Sequence, residues 1–126
     1  IISILLDASS LAGIGKSTKL GSELVSTIAN VGIPNFIASI CYEAYYPFGL
    51  YPKKENSILI NITNDAWYGN STGPHQNFIA TVFRAIENRI PVIRVSNNGI
   101  SAIINPYGKI LIKTKLNKAE VLDFEI

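Results

Sequence analysis

Cys41 is the only cysteine among 126 residues, and it stands where a nucleophile is wanted. Phe36-Ile37-Ala38-Ser39-Ile40 reads as a buried strand, and Cys41-Tyr42-Glu43 follows where the chain begins to turn. A thiol delivered by the C-terminal edge of a strand, with a carboxylate two residues on, can attack a carbonyl and hold the acyl group covalently. The same pattern describes an inert core thiol, because free cysteine is among the most buried residue types.

Three further stretches bear on chemistry. Asn64-Asp65-Ala66-Trp67-Tyr68-Gly69 is the densest polar and aromatic run, and it follows a second strand candidate over residues 57–63. If the two strands run parallel, this run shares an edge with Cys41, and ligand sites of open α/β sheets lie beyond the carboxyl ends of strands. An ordinary Asn-Asp turn with a tryptophan covering the core fits it equally. His75, the only histidine, could serve a Cys–His dyad, yet Gly73-Pro74-His75-Gln76 reads more simply as a solvated helix start. Ser10 to Thr18 matches the phosphate-loop pattern G-x-x-x-x-G-K-[ST] at Gly15, Lys16 and Ser17. Ser10 replaces the glycine of the tight turn, and Gly21 cuts short the helix that should follow, which favours a glycine-rich surface loop. One Cys and one His without clustered carboxylates make no closed metal site, so neither metal nor cofactor is expected.

The elements that must position these residues follow from punctuation and period. Residues 1–23 read as a loop-rich lead-in, although Ile1 to Leu6 could form a strand, and Glu23 to Ala29 could form another. Gly73-Pro74 opens a helix that Pro91 closes, with Phe78, Val82, Ala85 and Ile86 on its apolar face and Arg84 and Glu87 on another. Val92 to Ser96, Ile100 to Asn105 and Lys109 to Leu116 read as a β meander with Asn97-Asn98-Gly99 and Pro106-Tyr107-Gly108 turns. In the last segment Ile110, Ile112 and Leu116 are expected on one face and the lysines on the other. Strand, turn with Cys, strand, helix and meander make an α/β layered domain with a mixed sheet.

Composition narrows the partners. With 48% hydrophobic and 16% charged residues, the chain carries a net charge of +2, too small to argue for nucleic acid or a membrane surface. No apolar run approaches the length of about 18 residues that spans a bilayer. The chain contains no methionine, opens in an apolar run and stops on strand-like sequence, so it is expected to be an internal piece of a longer protein.

Taken in order, Ile40-Cys41-Tyr42-Glu43, Asn64 to Gly69, Gly73-Pro74-His75-Gln76, Arg84 to Pro91 and Arg94 to Ser101 form a specific set. This set resembles the apolipoprotein N-acyltransferases of bacteria, a membrane branch of the carbon-nitrogen hydrolase (nitrilase) superfamily. The resemblance covers residues 24–126 well and residues 1–23 poorly. It implies an α-β-β-α sandwich and a Glu-Lys-Cys catalytic set, with residues 1–126 as a partial, C-terminal portion of the nitrilase-like domain. Cys41 matches the nucleophile, Glu43 a supporting residue, and Tyr42, Asn64, Asp65 and Trp67 the substrate-binding surroundings.

The implied reaction moves a fatty acyl chain from a phospholipid, through a Cys thioester, to the N-terminal diacylglyceryl-cysteine of an apolipoprotein. The implied location is the bacterial inner membrane, with the catalytic domain facing the periplasm and membrane contact supplied by parts of the parent absent from this chain. The catalytic Glu and Lys have no counterpart here: Lys16, Lys19 and Glu23 precede Cys41 outside the relevant motifs, and Lys53 and Lys54 follow it. The isolated chain is therefore expected to be inactive. A soluble amidase acting on C–N bonds and a non-catalytic relic of the fold stand as the alternatives.

Overall fold

The computed structural model describes residues 2–4, 35–47, 50 and 57–124. The candidate phosphate loop, the strand candidate over 23–29 and Lys16, Lys19, Glu23, Lys53 and Lys54 lie outside them.

Seven strands and one α-helix are described. Strand β1 (Ile2–Ile4) pairs antiparallel with β7 (Leu122–Phe124) in a two-stranded ribbon. The remaining strands are β2 (Phe36–Ile40), β3 (Ile58–Thr63), β4 (Val92–Ser96), β5 (Ala102–Ile104) and β6 (Ile110–Lys113). They form one sheet in the order β2-β3-β4-β5-β6. The first three run parallel and the last three antiparallel, so the sheet is mixed, as the sequence predicts. Helix α1 (Gly73–Asn88) is the crossover between parallel β3 and β4.

Two clusters cover the two faces of the sheet. Phe78 and Ala85 of α1 pack on Leu59, Val92, Ala102 and Ile104, whereas Ile58, Ile60, Ile93 and Val95 point the other way. At their N-terminal ends the central strands β3 and β4 bury apolar side chains on both faces, the usual pattern of parallel strands.

The face under α1 changes character along its length. Pleating puts Leu59 and Val92 at one end, then Asn61 and Arg94, then Thr63 and Ser96 toward the C-terminal ends of the strands. Ser39 joins this row from β2, paired with Asn61. A face that starts apolar thus ends polar beneath the turns carrying Cys41 and Asn64.

Two expectations need correction. Arg84, expected on a face apart from the apolar stripe, is buried as Phe78 and Ala85 of that stripe are, and its Nη2 pairs with Glu87 Oε1 at 3.1 Å. In β6 the expected alternation fails. Ile112 pairs with Ile103 and Ile110 with Ile104, so Leu111 has no partner and a bulge intervenes. The extra residue reverses the sense of side chains beyond it, which leaves Ile110 as well as Leu111 exposed.

Candidate active site

Strand β2 ends at Ile40, and the next five residues, Cys41–Tyr45, form a turn of 3₁₀ helix. Cys41 enters that turn with φ of 53°, a left-handed conformation that a non-glycine residue adopts at a cost of about 1–3 kcal/mol. The conformation takes the chain out of the strand and into the turn at a half-buried cysteine. Two hydrogen bonds bracket the strained residue. Glu43 reaches back so that its Oε2 accepts the Ile40 N–H at 2.7 Å. On the other side the Cys41 carbonyl accepts from Asn61 Nδ2 at 3.4 Å.

Beneath the turn lies a buried polar network centred on Arg94. Its Nη1 donates to Asn61 Oδ1 at 2.7 Å and to Thr81 Oγ1 at 2.8 Å, and its Nε to the Ile100 carbonyl at 3.1 Å. Its Nη2 forms an ion pair with Asp65 Oδ2 at 2.8 Å. Asp65 also accepts from Ser96 Oγ at 2.9 Å and from Asn77 Nδ2 at 2.8 Å. A buried charge is tolerated only when paired and hydrogen-bonded, and both conditions are met here. Burial draws the guanidinium pKa below its ordinary value, and the Asp65 carboxylate opposes that shift.

The 64–69 loop is locked to the turn between β4 and β5 by asparagines. Asn97 Oδ1 accepts the Asp65 N–H at 3.1 Å, and its amide nitrogen donates to Asn64 Oδ1. Gly99 follows because nothing larger fits: a Cβ there would run into Asp65 Oδ2 and Ser96 Oγ. Gly73 answers to the same logic at the start of α1, where a Cβ would collide with the Tyr68 ring.

Aromatic rings line the rim. Tyr42 stacks on Tyr45 with centroids 4.7 Å apart and meets Tyr46 and Trp67 edge-on at 5.5 and 6.4 Å. Trp67 stacks in turn on Tyr68 at 4.0 Å. These rings bridge the Cys41 turn and the 64–69 loop, and Trp67 is 64% exposed. Tyr68 is raised above the usual 10.0, first by burial and then by Asp65, Tyr42 and Cys41, with Arg94 opposing. Tyr42 is raised too, by desolvation and by its neighbours Tyr45 and Tyr46.

The residues singled out from sequence fall into two groups. Cys41, Tyr42, Glu43, Asn64 and Trp67 gather at one end of parallel strands β2 and β3. Asp65 lies below them, fully buried, with both carboxylate oxygens engaged internally. His75 is exposed in the first turn of α1 and makes no hydrogen bond to Cys41. Among the described residues no three Cys, His, Asp or Glu side chains cluster as metal ligands, and no helix is long and apolar enough to cross a membrane.

Sequence reasoning passed over Asn61 and Arg94. Each is a polar residue in the middle of a strand whose neighbours are apolar, Ile-Leu-Ile-Asn-Ile and Val-Ile-Arg-Val. A charge inside a buried strand demands a partner, and that demand was the available signal.

Comparison with known proteins agrees with this architecture. The sequence model of the carbon-nitrogen hydrolase family matches residues 13–126. The apolipoprotein N-acyltransferase of Rickettsia bellii (strain RML369-C) is 48% identical over 85 residues, covering 67% of this chain and 17% of that protein. The apolipoprotein N-acyltransferase of Brucella suis biovar 1 (strain 1330) is 47% identical over 90 residues, covering 71% of this chain and 17% of that protein. This chain therefore spans about a sixth of the length of these curated relatives. A crystal structure of a carbon-nitrogen hydrolase from Helicobacter pylori G27 superposes with a TM-score of 0.54 at 16% identity, over 71% of this chain and 39% of that one, which is a likeness of fold. With its mixed sheet, its crossover helix and a family match running from residue 13 to residue 126, the chain belongs to the carbon-nitrogen hydrolase family.

Proposed function

We propose that this chain carries the nucleophile of an apolipoprotein N-acyltransferase, and that residues 1–126 are part of a larger carbon-nitrogen hydrolase domain. Cys41 attacks the ester carbonyl of a phospholipid. The C–S bond of a thioester forms, the ester C–O bond breaks, and the lysophospholipid oxygen leaves with a proton. The α-amino group of a diacylglyceryl-cysteine at an apolipoprotein N-terminus then attacks the thioester; an amide forms, and the thiol is regenerated. Two easier steps replace one difficult one.

The single observation that carries the reading is the setting of Cys41. A half-buried, left-handed cysteine stands at the end of a parallel strand, bracketed by Glu43 and Asn61, and the turn it opens carries part of a rim of exposed aromatic rings. The names of the relatives supply the acyl transfer and the lipoprotein acceptor. In this scheme Glu43 supports the turn, while Tyr42, Asn64 and Trp67 form the substrate-facing rim, with Asp65 as its anchor. The general base and the lysine that stabilises the oxyanion come from parts of the protein outside this chain, as does its attachment to the inner membrane with the domain facing the periplasm. By itself the chain transfers no acyl group.

The test is made in the intact protein. Cys41→Ala abolishes transfer of a labelled acyl chain from phospholipid vesicles to a synthetic diacylglyceryl-cysteine peptide. Turnover retained in that variant overturns the proposal.

A further inference from the structure

We infer that Asn61 is a positioning residue for Cys41, with its own orientation set by Arg94. The strained backbone at Cys41 persists only if its surroundings over-determine it. Of the two bonds that bracket it, the one from Glu43 is local, spans three residues and is exposed, so it moves with the turn. The bond from Asn61 comes from the neighbouring strand, from a side chain with no exposure, and so ties the turn to the sheet.

The amide of Asn61 cannot turn away. Its Nδ2 group donates to the Ser39 carbonyl and the Ser39 hydroxyl, both at 3.2 Å, as well as to the Cys41 carbonyl. Its Oδ1 accepts from Arg94 Nη1 at 2.7 Å. A flipped amide would set Nδ2 against the guanidinium and Oδ1 against two backbone carbonyls, pairing donor with donor and acceptor with acceptor. Arg94 is immobile in turn, because Ile100, Thr81 and Asp65 hold its remaining donors. The bond to Cys41 is the longest of the set. It acts through the fixed direction of the amide rather than through its own strength.

This inference rests on the acyltransferase reading for one readout only, and the test separates the two. Asn61→Asp keeps the shape and an acceptor for Arg94 but has no N–H to donate, and Asn61→Leu removes both functions. Asn105→Ala is the control, since it removes hydrogen bonds of the turn between β5 and β6, outside the Arg94 network. The first readout is amide hydrogen exchange at Ile40 and Tyr46, whose N–H groups are both bonded to Glu43, against Ile93 in the middle of β4. Loss of one restraining bond speeds exchange at Ile40 and Tyr46 roughly fivefold to tenfold relative to Ile93 in the Asn61 variants. Asn105→Ala leaves that ratio unchanged.

The second readout is acyl transfer by the intact protein. Misplacement of the thiol lowers kcat by about tenfold or more in Asn61→Asp while KM stays within about twofold, and Asn105→Ala changes neither constant. Unchanged exchange in both Asn61 variants, or equal acceleration in Asn105→Ala, overturns the inference. If the unaltered protein transfers no acyl group, the functional proposal falls and the exchange ratio alone decides this one.

Discussion

Arg94 Nη2 lies 2.8 Å from Asp65 Oδ2 with neither side chain exposed, and this pair joins strand β4 to the loop beyond β3. The pair is more than a local contact, because the same guanidinium orders Asn61 and Thr81 and the same carboxylate orders Ser96 and Asn77. The Cys41 turn and the 64–69 loop share one buried support.

Breaking that support by removing one partner leaves an uncompensated charge. Asp65→Asn and Arg94→Leu are each expected to cost about 3–5 kcal/mol in urea unfolding. The double variant should lose much less than the sum of the two, since each single change already forfeits the pair. Strict additivity would show that the two residues act independently.

Gly99→Ala probes the same support by steric means. The new methyl group meets Asp65 Oδ2 and Ser96 Oγ, two members of the network, and neither can withdraw without losing its bond. The expected loss is about 1–3 kcal/mol or more, the range for overpacking a filled interior. A thermal midpoint equal to that of the unaltered chain would mean that the loop moves aside freely.

Stability should fall in alkali through the tyrosines. Tyr68 holds its proton more tightly folded than unfolded, because burial and the Asp65 carboxylate both oppose the phenolate. Below the unfolded value of 10.0 both states are protonated and nothing is lost. As pH rises past that value the unfolded chain releases the proton first, so folding weakens progressively. Thermal midpoints between pH 8 and 11 should show the decline, and Tyr68→Phe should make it shallower. An identical slope in the variant would assign the loss to other groups.

Trp67 separates binding from folding. It is 64% exposed and stacks on Tyr68 with one face open, so Trp67→Ala should shift unfolding free energy by no more than about 0.5–1 kcal/mol. Acyl transfer by the intact protein should show a raised KM for phospholipid, because the rim loses its largest ring. An unchanged KM would remove Trp67 from the substrate-binding surface.

The sheet was legible because its signals are local and repeated. Phe36–Ile40 and Val92–Ser96 coincide with the expected strands, and the Asn97-Asn98-Gly99 and Pro106-Tyr107-Gly108 turns link antiparallel pairs as expected. The bulge at Leu111 was not legible, since an inserted residue looks like continued alternation until its partner strand is known. Cys41 could be singled out by its uniqueness and its place after a strand. Its left-handed backbone could not, because no glycine or asparagine announces it. Asn61 and Arg94 are 33 residues apart in sequence and meet only through the register of β3 on β4, so no short motif contains their relationship.

The measurement closest to the central claim is direct capture of the acyl-enzyme. The intact protein is incubated with phospholipid alone, without a lipoprotein acceptor, then digested and analysed by mass spectrometry. The account predicts a fatty acyl group on the peptide containing Cys41, released by neutral hydroxylamine as a thioester is, and absent in Cys41→Ser under the same treatment. A fully active protein that carries no acyl group on Cys41, or carries it on another residue, would contradict it.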